Sequence, residues 1–125
     1  MIPAAWVVKA QKVRAVFRAQ MQRVFQAVDI ILAPATPCSA PLIGQNEFTL
    51  DGTTLPLRPN IAIFTQPVWF IGLPVVAVPV WPAGHAMPVG VQIIAAAGRE
   101  DVALRVARYL ETTGIAQAPV AQGMM

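Results

Sequence analysis

The side chains able to carry covalent or acid–base chemistry are few. Ser39 is the only serine, His85 the only histidine and Cys38 the only cysteine. A Ser–His–Asp arrangement can be spelled from Ser39, His85 and Asp101, but a triad is defined by geometry and needs an oxyanion pocket. Ser39 stands in the proline-spaced stretch ATPCSAPLIG, with neither a strained turn nor an oxyanion-forming pair of glycines. Cys38 with His85 meets the same objection. One His, one Cys and no clustered carboxylates fall short of the three or four ligands a metal site needs. Neither GxGxxG nor GxxxxGK occurs, so the phosphate-cradling loops are absent. More informative are Arg58, Asn60, Thr65, Gln66 and Gln92, polar residues beside or within apolar sequence. Each needs a hydrogen-bond partner, supplied either by nearby backbone or by a ligand in a pocket. Both possibilities stand at this point.

These residues are embedded in, or lie next to, a 40-residue stretch from Pro59 to Gly98 that holds no Asp, Glu, Lys or Arg. Such a stretch belongs in a core or a membrane. Pro67, Pro74, Pro79, Pro82 and Pro88 leave nothing near the ~20 unbroken residues of a spanning helix, which selects the core. Two apolar runs remain, VVAVPV (Val75–Val80) and VGVQIIA (Val89–Ala95). Both are rich in β-branched residues without polar alternation, the pattern of strands buried on both faces.

Elements that position this stretch follow from local pattern. Residues 4–28 read as one amphipathic helix, with Ala10, Val13, Phe17, Met21, Val24 and Val28 forming a stripe that Val16 and Phe25 widen. DIILAP (Asp29–Pro34) is a short buried strand, and Ala35–Gly44 an extended loop punctuated by Pro37 and Pro41. Asp51-Gly52 between two β-prone runs predicts a hairpin over Glu47–Leu57. Asn60–Phe70 reads as a short helix broken at Pro67 and closed by Gly72. Glu100–Thr113 is a helix with Glu100 and Asp101 in its first turn, Val102, Val106, Tyr109 and Leu110 facing inward, and Gly114 as its stop. The order predicts a mixed α/β domain. The tail, residues 115–125, is too weakly patterned to pack and is expected to be flexible.

Composition sets the wider frame. Hydrophobic residues make up 56% of the 125, above the ~45–50% of ordinary soluble domains, so apolar faces here expect cover from other chain or from a partner. The net charge of +3 is local: Lys9, Lys12, Arg14, Arg18 and Arg23 all precede the first acid, Asp29. Nucleic acid or an anionic surface attracts such a helix, but a solvated face accounts for it more simply. A single cysteine excludes an internal disulfide framework, and the first residues lack the order of a secretory signal, so the cytoplasm is the expected location. No partner nucleic acid and no membrane are expected.

The order of three motifs resembles the amidase-signature hydrolases. VDIILAPATPCSAPLIG (Val28–Gly44) is similar to their D-hydrophobic-hydrophobic-x-P-x-x-P…A-P segment. FTQPVWFIGLPVVAVPV (Phe64–Val80) resembles T-x-P-x-N-x-x-G-x-P-x-x-x-x-P, and MPVGVQIIAAAGREDVALRVARYLE (Met87–Glu111) resembles the closing P-x-G-x-Q…E…L…A strand and helix. The likeness covers residues 3–114 and is similar to the branch acting on biuret-type and carboxybiuret-type amides. It implies the C-terminal portion of the amidase-signature α/β fold, a mixed sheet flanked by helices, over residues 1–125.

The resemblance also implies a chemistry: hydrolysis of carboxamide C–N bonds by a Ser–cis-Ser–Lys triad, without metal or organic cofactor. Lysine activates the bridging serine, that serine activates the nucleophile, and backbone amides bind the oxyanion. Two serines are required and this sequence holds one, in a different motif. The chain is therefore expected to supply sheet core and one pocket wall, and to be inactive alone. Its catalytic segment comes from elsewhere, in cis or in trans, and the family also suggests a small helical companion subunit. The alternative is a non-catalytic binding or interaction subunit of the same descent. Arg58, Thr65, Gln66 and Trp69 are the expected substrate-binding residues, with a small amide as substrate and Arg58 placed to neutralise a carboxylate on it. Trp69 replaces the family's asparagine, which makes that lining more apolar. Gly72, Pro74 and Gly90 are assigned to structure, where backbone approaches closely.

Overall fold

The computed structural model describes residues 2–119. It contains α1 (Ala4–Val24), β1 (Ile30–Pro34), β2 (Glu47–Leu50), β3 (Thr53–Pro56), α2 (Leu57–Asn60), α3 (Gln66–Ile71), β4 (Val75–Val80), β5 (Val89–Ala95) and α4 (Glu100–Thr112). The α/β class expected from sequence holds. Both sheets are antiparallel: a three-stranded sheet in the order β1-β5-β4 and a separate β2-β3 hairpin.

β5 is the centre of the molecule. It pairs with β1 from Ile30↔Ala95 to Pro34↔Val91, and with β4 from Val75↔Ile94 to Val80↔Val89. Because strand side chains alternate, Ile93 and Ala95 face α4, where they pack with Val78, Val102, Ala103 and Ala116. Gln92 and Ile94 point to the opposite face. Gln92–Ala95 are all buried, as the unbroken apolar run predicts. β4 reads the same way in sequence, yet Val75 and Ala77 are exposed, because they lie on the face of this edge strand turned away from α4, while Val76 and Val78 pack toward it. A run without polar alternation does not tell a central strand from an edge.

The turn chemistry follows its residues. Asp51 and Gly52 both take positive φ, at 47° and 74°, which a two-residue hairpin turn requires. Gly72 closes α3 in the left-handed conformation. Pro67 does not break a helix, as expected from sequence, but sits in the first turn of α3, where its missing N–H costs nothing. A Cβ on Gly90 would lie 2.9 Å from the Ala35 Cβ, so this position demands glycine for close approach.

Three further expectations are corrected. Tyr109 is 63% exposed; α4 instead buries Val102 and Ala103 and half-buries Val106, Ala107 and Leu110, so its inner face is rotated toward the alanines. The start of the tail packs: Ala116 is buried and bridges Val80, the Gln117 N–H donates to the Pro79 carbonyl at 3.3 Å, and the Trp81 indole donates to the Gln117 carbonyl at 2.8 Å. Edge pairing to β4 orders Ile115–Gln117, a partner that local pattern does not reveal. Residues 120–125 of the expected flexible tail lie outside the described residues. Finally, α1 ends at Val24 and buries none of its residues; Trp6 is 68% exposed, and Val13, Val16 and Val24 are exposed too.

The chain exposes 9368 Å². A compact monomer of 13.4 kDa is expected to expose about 6,500 Å², so the surface is too large for this mass. Exposed large apolar side chains include Trp6, Val7, Val8, Val13 and Val16 on α1 and Leu42 and Ile43 in the proline loop. No helix among the described residues is long and apolar enough to cross a membrane.

Candidate functional site

The antiparallel layout decides which polar residues can meet. β1 ends at Pro34 beside Val91, so the loop carrying Thr36, Cys38 and Ser39 lies at the start of β5, the same end as the β4–β5 turn carrying His85. Asp101 sits beyond the other end of β5. Seven strand residues at about 3.3 Å each separate the two ends by roughly 20 Å. Asp101 is also engaged: Arg99 Nε donates to its Oδ1 at 3.1 Å and Arg105 donates to Oδ2 at 3.3 Å. The Arg99 hydrogen bond holds the Asp101 carboxyl below its ordinary range, and the same contact raises Arg99. Ser39, His85 and Asp101 therefore form no triad. Among the described residues, no three His, Cys, Asp or Glu gather as a ligand set.

Of the open grooves among the described residues, two border the segments singled out by sequence. One of about 440 Å³ runs along the end of β1, the proline loop and the start of β5, lined by Leu32, Pro37, Cys38, Ser39 and Val91 among others. Its wall is mostly aliphatic. Thr36 shapes the loop by donating from Oγ1 to the Cys38 carbonyl at 2.8 Å. The second, about 530 Å³, lies between α1 and α3, lined by Trp6, Lys9, Ala10, Val13 and Phe70. Arg14 stands over the Phe70 ring with its guanidinium carbon 5.9 Å from the centroid.

The residues singled out by sequence divide into two groups. Thr65, Gln66 and Trp69 share one short segment, Thr65 as the N-cap of α3 and the others within it. Spacings of three and four place Trp69 on the same helix face as Gln66 and Thr65. Gln66 is exposed and Trp69 is 66% exposed, while Ile71 is buried. Thr65 is half-buried and donates from Oγ1 to the Ala62 carbonyl at 3.1 Å. Arg58 is exposed on α2, with no ion pair among the described residues. Neither groove is lined by these four residues.

Asn60 and Gln92 resolve to backbone partners. Asn60 donates to the Pro56 carbonyl at 2.8 Å. Gln92, 2% exposed, donates from Nε2 to the carbonyls of Pro34 at 2.8 Å and Phe64 at 3.2 Å. A polar side chain within VGVQIIA signals a buried network, but its partners are invisible in the sequence. The grooves were likewise not legible, because they arise where separate segments leave space.

Comparison with known proteins gives this arrangement its family. The Amidase family profile matches residues 2–104. The chain is 47% identical over 116 residues to AtzE, the 1-carboxybiuret hydrolase subunit of Pseudomonas sp. (strain ADP), covering 92% of this chain and 25% of that protein. It is 36% identical to a glutamyl-tRNA(Gln) amidotransferase subunit of Rhodospirillum rubrum, over 86% of this chain and 20% of that one. Among solved structures, a vestigial protein complex tied to the origins of an s-triazine catabolic enzyme superposes with a TM-score of 0.91. That match has 45% identity and covers 96% of this chain and 26% of its counterpart. The chain spans about a quarter of the length of these relatives. With its three motifs in order and its β1-β5-β4 sheet laid against α4, the chain belongs to the amidase family.

Proposed function

We propose that these residues are the C-terminal segment of an amidase-signature serine amidohydrolase acting on carboxamide C–N bonds of small biuret-like or urea-like amides. The segment supplies sheet core and part of the substrate pocket. The Ser–cis-Ser–Lys triad comes from a preceding catalytic segment, in cis or in trans, and the segment alone is inactive. The observation that carries this reading is the 47% identity to a carboxybiuret hydrolase subunit over 92% of this chain, with a single serine among its residues.

Thr65, Gln66 and Trp69 form the pocket-facing side of α3 in this proposal. Gln66 offers an amide that both donates and accepts, matched to a carboxamide, and the Trp69 face suits a planar conjugated amide. Arg58, free of an ion pair among the described residues, faces the carboxylate of a carboxylated substrate. The exposed apolar surface of α1 and the excess accessible area support cover by the catalytic segment, and by a small helical companion subunit of the kind the family suggests.

The test is the intact mass of the polypeptide bearing these residues in its native source, together with its release of ammonia from carboxybiuret and biuret. A polypeptide several times heavier than 13.4 kDa that releases ammonia supports the proposal. A 13.4 kDa polypeptide that releases ammonia by itself overturns it. An inactive 13.4 kDa polypeptide without a triad-bearing partner favours the alternative, a binding subunit of the same descent.

A further inference from the structure

We propose that Gln92 is a positioning residue that locks two separate segments into one wall of the substrate site; this rests on the function proposed above. Gln92 lies on the central strand, is 2% exposed, and uses its side-chain amide nitrogen as a double donor. One acceptor is the carbonyl of Pro34, the residue from which the proline loop with Thr36, Cys38 and Ser39 departs. The other is the carbonyl of Phe64, adjacent to Thr65 at the entry to α3. These acceptors lie 58 and 28 residues away along the chain. No residue of β4 or α4 takes part in these two bonds.

The chemistry is specific to an NH₂ group. Each carbonyl needs a donor, and one nitrogen with two hydrogens serves both. Methionine matches the length of glutamine but donates nothing, leaving two carbonyls short of a partner. Glutamate sets an oxygen anion against two carbonyl oxygens, and protonation restores at most one donor. The wall is then free to move at both segments while the β4–β5–α4 core, packed through Ile93 and Ala95 on the other face, stays intact.

Hydrogen–deuterium exchange read by mass spectrometry, on the polypeptide as its source makes it, tests this assignment. In Gln92→Met, exchange over residues 34–40 and 62–70 is expected to rise about tenfold, the order set by losing one buried hydrogen bond in each stretch. Exchange over β4 and α4 is expected to stay unchanged. In Gln92→Glu, exchange corrected for its intrinsic pH dependence is expected to slow in those same two stretches as pH falls and the carboxyl gains a proton. This second variant keeps the question open to refutation if the first does not fold. No change, or uniform acceleration through β4 and α4 in both variants, overturns the proposal. The exchange readout needs no amidase activity, so its failure is separate from failure of the proposed function. In an active polypeptide, Gln92→Met is expected to raise KM severalfold with a smaller change in kcat; equal losses in both overturn the positional role.

Discussion

The two faces of β5 are built differently. On one face, Ile93 and Ala95 meet α4 in an apolar cluster. On the other, Gln92 holds backbone carbonyls and Ile94 is buried; away from the sheet, α1 and α3 leave Trp6 and Trp69 open. The first face holds this piece of chain together. The second ties Pro34 and Phe64, far apart along the chain, to the central strand through one polar side chain. In the proposed function, the packed face carries stability and the Gln92 face positions the substrate wall.

Single substitutions distinguish the two faces. The largest effect is expected from Ile93→Ala on the packed face, where a residue with no exposed surface loses about 2–5 kcal/mol, read by denaturant unfolding. Gly90→Ala follows, because its methyl must displace Ala35; overpacking of this kind costs about 1–3 kcal/mol. On the open side, Trp6→Ala in the isolated chain is expected to shift stability by no more than about 0.5 kcal/mol, the range of exposed substitutions. A loss comparable to Ile93→Ala would mean that α1 is already covered. Gln66→Ala should leave unfolding unchanged yet alter KM or kcat in a complete enzyme; unchanged kinetics removes Gln66 from the pocket.

The smallest effect concerns the exposed Arg99–Asp101–Arg105 cluster. The Asp101 pKa is depressed in the folded chain, chiefly by the Arg99 hydrogen bond, so its contribution is present above the ordinary carboxylate value and fades as pH falls through the lower folded one. Asp101→Asn should therefore flatten the stability profile slightly at acid pH only, and high salt should shrink the difference. An effect that persists unchanged below that range would contradict the assignment.

Much of the fold was legible because local chemistry decides it. The proline-spaced loop after β1, the Asp51-Gly52 turn and the Gly72 stop depend on backbone preferences, and their residues state them directly. Tertiary placement was not legible. Val75–Val80 and Val89–Ala95 look alike in sequence, yet one lies at the edge and the other at the centre, and only pairing distinguishes them. Ile115–Gln117 packs because Pro79 and Val80 present an edge to it, not because of its own pattern. Of the candidate site, the α3 segment was visible as polar residues in apolar sequence. The Gln92 bonds were not, since each joins residues far apart along the chain.

The uncovered side also has a bulk consequence. With an accessible area well above that of a compact monomer and strand β1 at an open sheet edge, the isolated chain is expected to self-associate in analytical ultracentrifugation. A monomer with one sharp unfolding transition would contradict this.

The most direct test of the division between binding wall and catalytic machinery is ammonia release from carboxybiuret, by this chain alone and by this chain joined to a triad-bearing amidase segment. The expected result is no turnover alone and turnover when joined, abolished by replacing either serine of the triad. Turnover by the chain alone, or activity of the joined protein that survives loss of both serines, would contradict it.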